Sequence, residues 1–99
     1  MTKPIIWAPL SEFDLENILD YLQKEWNQEV IIMFLDKIEN LMHQISINPK
    51  QFPLINAKRK IRKCVITRHN TLFYREKKDF VEVLRIFDTR QNPKRLKYE

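Results

Sequence analysis

Hydrophobic positions change period along this chain, and the changes predict its elements. Pro4 to Trp7 is a short apolar run stopped by Ala8-Pro9, which suits an edge strand because proline lacks the N–H that a central strand donates. Ser11 then precedes Glu12, Phe13 and Asp14, read as an N-cap with acidic residues in the first turn. Leu15, Ile18, Leu19, Leu22 and Trp26 follow at helical spacing. A second helical stripe, Ile31, Phe34, Leu35, Ile38, Leu41, Met42 and Ile45, runs to Asn48-Pro49, where proline disfavours helix in the residue before it. The short break near Asn27 predicts an antiparallel helix hairpin.

After a loop containing Phe52-Pro53 the period falls to two. Ile61 to Thr67, Thr71 to Glu76 and Phe80 to Phe87 are rich in β-branched and aromatic side chains and are separated by loops of about three residues. They predict an antiparallel meander. Pairing Thr67 with Thr71 and Arg75 with Val81 puts Cys64, Ile66, Leu72, Tyr74, Leu84 and Ile86 on the face toward the helices. Lys63, Val65, Phe73, Arg75, Val81, Val83, Arg85 and Phe87 fall on the opposite face, a mixed apolar and basic surface. The expected fold is α+β in the order β-α-α-β-β-β, with an N-terminal edge strand and a helix hairpin on a three- to four-stranded antiparallel sheet.

Length and charge then bound the function. The 99 residues suit one domain spanning 1–99, which buries about 60–70% of its unfolded surface without metals or disulfides. Net charge +5 favours an acidic partner, whether nucleic acid, an acidic protein segment or an anionic membrane surface. No apolar run approaches a membrane span, and the N-terminus lacks the apolar region and cleavage site of a signal peptide. The expected location is the cytoplasm. Cys64 cannot form an internal disulfide and, between Lys63 and Val65-Ile66 in a strand, reads as a buried thiol rather than a nucleophile.

Several chemistries find no support. With no glycine in the chain, Gly-rich phosphate loops and dinucleotide fingerprints are excluded. His43 and His69 are far apart and lack a nucleophile pattern, so a hydrolase triad is not indicated. No Cys/His spacing suggests a metal site, and no cofactor is expected. His69 sits at a hairpin tip, where a solvated turn residue and a ligand contact are both open readings. Phe73 and Phe87 on a basic sheet could stack unpaired bases, although no RNP-type motif accompanies them.

Taken in order, Ile6-Trp7-Ala8-Pro9, Asp14 to Leu22, Asn48-Pro49, Phe52-Pro53, Leu72-Phe73-Tyr74-Arg75 and Val83 to Phe87 with Arg90 resemble the RelE/ParE superfamily, also called plasmid stabilisation proteins. The resemblance spans nearly the whole chain. It implies a bacterial toxin of a type II toxin–antitoxin system that arrests growth and is silenced by a cognate antitoxin whose acidic segment wraps its basic surface.

The superfamily divides into two activities. RelE-like members cleave messenger RNA on the ribosome, using side chains that deprotonate the 2′-OH, stabilise the phosphorane and protonate the leaving oxygen. Here Thr71 stands where that pattern expects an Arg, Leu96 stands where it expects a tail Tyr, and Arg90 matches a second family Arg. A ribonuclease would depend on Arg90, Arg85 and Tyr98. ParE-like members instead inhibit DNA gyrase through protein contacts, and Trp7-Ala8-Pro9 and Arg85-Ile86-Phe87 look more similar to that branch. The favoured expectation is a ParE-like gyrase inhibitor that is not itself an enzyme, with Lys63, Phe73, Arg75, Arg85, Phe87 and Arg90 binding target or antitoxin. The alternatives are the ribosome-dependent nuclease and an inactive homologue that still binds antitoxin. The basic tail from Asn92 to Glu99 is expected to be mobile without a partner.

Overall fold

The computed structural model describes residues 2–90. In chain order the elements are β1 (Ile5–Trp7), α1 (Pro9–Glu25), α2 (Gln28–Ile47), β2 (Leu54–Asn56), β3 (Ile61–Thr67), β4 (Asn70–Glu76) and β5 (Val81–Asp88). The expected α+β architecture is present. Its sheet is larger than expected and mixed: five strands in the order β1-β5-β4-β3-β2. β1 runs parallel to β5, and β2 adds an outer strand against β3.

Helix starts follow local chemistry. α1 begins at Pro9 with Ala8 as N-cap, because the fixed φ of proline suits the first helical position, where its missing N–H costs nothing. Ser11 is therefore inside the first turn rather than the cap. It is buried, and its hydroxyl donates to the Ala8 carbonyl at 2.6 Å. Asn27 ends the break between helices and caps α2, its side-chain oxygen accepting from the Val30 N–H at 3.1 Å.

The sheet register corrects part of the face assignment. Cys64 pairs with Leu72, and Leu72 with Ile86. This β3–β4 register differs by two residues from the expected one, a shift that preserves which side each residue faces. Between β4 and β5 the register breaks: Phe73 pairs with Arg85, but Tyr74 pairs with Val83. Leu84 is the extra residue of this bulge, so every β5 residue before it changes face. Val81 and Val83 accordingly lie fully buried in the core with Tyr74, not on the outer face, while Leu84 is only partly buried. The core joins Ile18, Leu22, Phe34, Ile38 and Ile45 of the helices to these strand residues. Phe73 and Arg85 share a face as expected.

Tyr74 spans the core to the α2–β2 loop, donating its hydroxyl to the Pro49 carbonyl at 2.6 Å while Phe52 packs edge-on against its ring. The N-terminal segment is tied down by Ser46, whose hydroxyl donates to the Lys3 carbonyl, and by the Val81 N–H, which donates to Pro4. No described helix is long and apolar enough to cross a membrane.

Candidate functional site

β1 pairs with β5 from Ile5↔Val81 to Trp7↔Val83, so among the described residues the second half of β5 has no neighbouring strand on that side. α1 fills the gap. Asp14 accepts from the Ile86 N–H at 3.0 Å and takes Arg85 in a two-point pair, from Nε at 2.7 Å and Nη2 at 2.9 Å. Two helical turns further on, Tyr21 lies beneath Arg90, whose guanidinium carbon is 4.8 Å from the ring centre. One stripe of α1 thus positions Arg85 in the C-terminal half of β5 and Arg90 just beyond its end.

Arg90 is held a second time. Its Nε and Nη2 donate to the two Asp88 carboxylate oxygens at 3.1 and 3.0 Å, and its backbone N–H donates to the same group at 2.9 Å. Burial of Asp88 pushes its carboxyl upward, but hydrogen bonds from the Arg90 side chain and backbone, with the Arg90 charge, outweigh it and set the net shift below the ordinary value. Asn70, its register partner across β4, adds to the lowering. The Asp88 hydrogen bonds in turn push the Arg90 guanidinium up.

Around these arginines the outer face is formed by Lys63 and Val65 of β3, Thr71 and Phe73 of β4, and Arg85 and Phe87 of β5, all placed together by Lys63↔Phe73↔Arg85 and Val65↔Thr71↔Phe87. Val65 is 58% exposed, an apolar side chain on the β3 side of this face. Phe73 is buried at 1% exposure, so its ring is covered on this face. Arg75 lies on the same face beyond the bulge but is paired with Glu82 at 3.0 Å.

At the β3–β4 turn, His69 is fastened to the strand end: its carbonyl accepts from the Thr89 N–H at 2.9 Å, and its Nε2 faces Arg68 Nε at 3.3 Å. His43 is exposed on α2, away from the sheet. Cys64 is fully buried, and burial pushes its thiol up to about 11. Among the described residues no group of His, Cys, Asp and Glu could hold a metal ion. Tyr98 and Leu96 lie outside the described residues. Sequence reading missed Asp14, Tyr21 and Asp88 as partners of the arginines. The i, i+7 spacing of Asp14 and Tyr21 on α1 was visible, but the strand they face was not.

The family model for the ParE toxin of the type II toxin–antitoxin system, parDE, matches residues 5–93. The chain belongs to the ParE toxin family. Among curated proteins, none matches the sequence. Among solved structures, it is similar to one of the chromosomal ParDE system of P. aeruginosa, with 17% identity and TM-score 0.73 over 88% of this chain and 96% of that one. It is also similar to a YoeB/ParE toxin from Agrobacterium tumefaciens, with 14% identity and TM-score 0.61 over 86% and 96%. The E. coli DinJ–YafQ toxin–antitoxin complex gives 13% identity and TM-score 0.60 over 91% and 96%. These likenesses show a shared fold, and the family match makes the protein a toxin of a type II system.

Proposed function

We propose that this toxin arrests growth by inhibiting DNA gyrase through surface contacts, without a catalytic set of its own, and that a cognate antitoxin with an acidic segment neutralises it. The observation that carries this reading is the engagement of the arginines. A ribonuclease of this fold would aim cationic groups at a phosphorane and place an acid and a base beside it. Here Arg90 is bound to a buried Asp88 and stacked on Tyr21, Arg85 is bound to Asp14, and Thr71 occupies the position where the nuclease pattern expects an Arg.

The proposed contact surface is the outer sheet face, with Lys63, Val65, Phe87, Arg85 and Arg90 touching target or antitoxin and Arg75 at its margin. The ParDE and DinJ–YafQ structures are toxin–antitoxin systems, which supports an antitoxin partner for this chain. The deciding experiment adds purified toxin to gyrase on relaxed plasmid, and separately to ribosomes translating a defined message. Lost supercoiling with accumulation of cleaved plasmid is the expected result. Unchanged supercoiling with ribosome-dependent cleavage of the message would replace this reading with the nuclease. Neither effect, from folded toxin that still binds antitoxin, would make the chain an inactive homologue.

A further inference from the structure

A second charged surface lies at the opposite end of the sheet from Arg90. The β2–β3 and β4–β5 turns meet there, because Ile61 at the start of β3 pairs with Arg75 near the end of β4. Between them is an open concavity of about 560 Å³ lined by Lys50, Lys60, Arg62, Lys77, Lys78 and Glu76. Lys58 and Arg59 extend the charge along the first turn, where residues 57–60 are all exposed. Glu76 is paired with Lys3 Nζ at 2.7 Å and its carboxyl is also drawn down by Lys50 and Arg62, so with Lys3 counted the pair leaves the surplus of positive charge in the lining unchanged. Asp79 is the remaining carboxylate in the two turns.

This charge is held in place by the backbone. Arg62 donates through Nη1 to the Phe52 carbonyl at 2.8 Å and the Lys50 carbonyl at 3.2 Å, fixing one wall. Asn56 closes the first turn by accepting from the Arg59 N–H at 2.9 Å. Lys60 has φ 60, a left-handed conformation that glycine or asparagine adopts at lower cost. A lysine at that position keeps its charge on the rim despite the backbone strain.

We propose that this end of the sheet binds the phosphate backbone of duplex DNA. Its cations are mostly lysines, point charges suited to sequence-independent phosphate contact. An acidic peptide folding onto the site would need apolar anchors, and Leu54 is the one large exposed hydrophobic residue in the lining. Unpaired bases would need exposed aromatic rings to stack on; the exposed aromatics among the described residues, Phe13 and Trp26, lie on or beside α1, and the one aromatic of the two turns, Phe80, is half-buried. The surface is separate from the outer-face site, so it does not depend on the gyrase reading.

The test measures anisotropy of a labelled mixed-sequence DNA duplex of about 20 base pairs with the full-length toxin, across roughly 0.05–0.3 M salt. About four phosphate contacts give a slope of log affinity against log salt near −3.6. The variant Lys58→Gln, Lys60→Gly, Lys77→Gln, Lys78→Gln removes four charges from exposed positions, and glycine accepts the φ of Lys60. It should lower affinity at least tenfold at the low-salt end and flatten the slope to between about −1 and 0. Lys77→Gln, Lys78→Gln alone should flatten it by roughly two, which keeps the test valid if the fourfold variant does not fold. An unchanged slope in either folded variant overturns the proposal. So does equal or tighter binding of a single strand of the same length, or displacement of the duplex by a polyglutamate peptide at equal charge. Gyrase is absent throughout, so failure here leaves the gyrase reading intact.

Discussion

Asp14 and Arg85 are 71 positions apart in the chain and share a two-point ion pair, with the Ile86 N–H as a third donor to the same carboxylate. Among the described residues this contact stands where β5 has no partner strand beyond β1 along its second half. Arg85 stays 42% exposed, so solvent screens much of the charge attraction. The larger loss on removing the carboxylate comes from the buried Ile86 N–H. Asp14→Ala should therefore cost about 2–3 kcal/mol, and Asp14→Asn about half of that because it retains one acceptor. Urea unfolding of the two variants beside the parent protein measures both. Equal midpoints for all three would show that α1 does not hold β5 through this residue.

The same contact changes what Arg85→Ala can report. The substitution leaves Asp14, 9% exposed, without its cation, so lost toxicity could arise from lost fold. Arg85→Lys, which retains a charge but not the two-point geometry, should lower stability by about 1 kcal/mol. If toxicity falls further than the folded fraction does, Arg85 touches the target as well as the helix.

Asp88 makes acid stability sensitive to one pair. Its carboxyl is held below the usual 3.8 in the folded chain. A depressed folded value means that the unfolded chain takes up the proton first, so the stabilisation is complete above about pH 4–5 and is lost as pH falls through the folded value. Asp88→Asn should flatten this part of the stability–pH curve below about pH 4 and cost about 1–3 kcal/mol at neutral pH, because Arg90 loses its partner. Chemical denaturation at a series of pH values tests both statements. A variant whose curve parallels that of the parent below pH 4 would remove Asp88 from the acid response.

Most elements of the fold were legible from periodicity, and the reasons for the misses are local. Asn27 and Pro49 mark helix ends through donors and φ angles that any context must respect. Ser11 misled because an N-cap pattern and a Pro at the first helical position compete, and proline two residues earlier sets the start. Leu84 misled because a bulge moves Val81 and Val83 across the sheet without altering the alternation itself. β2 is three residues long and carries only Leu54 and Ile55 as apolar signal, too little for period two to register. The candidate site was half visible: Arg85 and Arg90 stand out as cations at a strand end, while their partners Asp14 and Tyr21 look like ordinary helix surface until α1 is placed beside β5.

Cys64 should be inert in the native state. With its thiol raised to about 11, the thiolate fraction near pH 8 is on the order of 100-fold below that of an ordinary cysteine, before access is considered. The raised folded value also means that stability falls as pH rises from about 9 through 11, since the unfolded thiol ionises first. A disulfide reagent should react fully in denaturant and at least 100-fold more slowly in buffer. Comparable rates in the two solvents would show that the strand opens readily and that the thiol is not held in the core.

Val65 offers the cleanest probe of the outer face. At 58% exposure it contributes little to the core, and surface substitutions of this kind usually stay within about 0.5 kcal/mol. It stands beside Thr71 in register and two residues from Lys63 on the same face, where a carboxylate would oppose an acidic partner and burden an apolar contact. Val65→Glu should therefore keep the melting temperature of the parent while relieving growth arrest and weakening antitoxin binding at least tenfold. Calorimetry, growth after induction and titration with antitoxin measure the three effects separately. Relief of arrest with antitoxin affinity intact would assign the β3 side of this face to the target alone, and full toxicity from a folded Val65→Glu protein would move the site off this face.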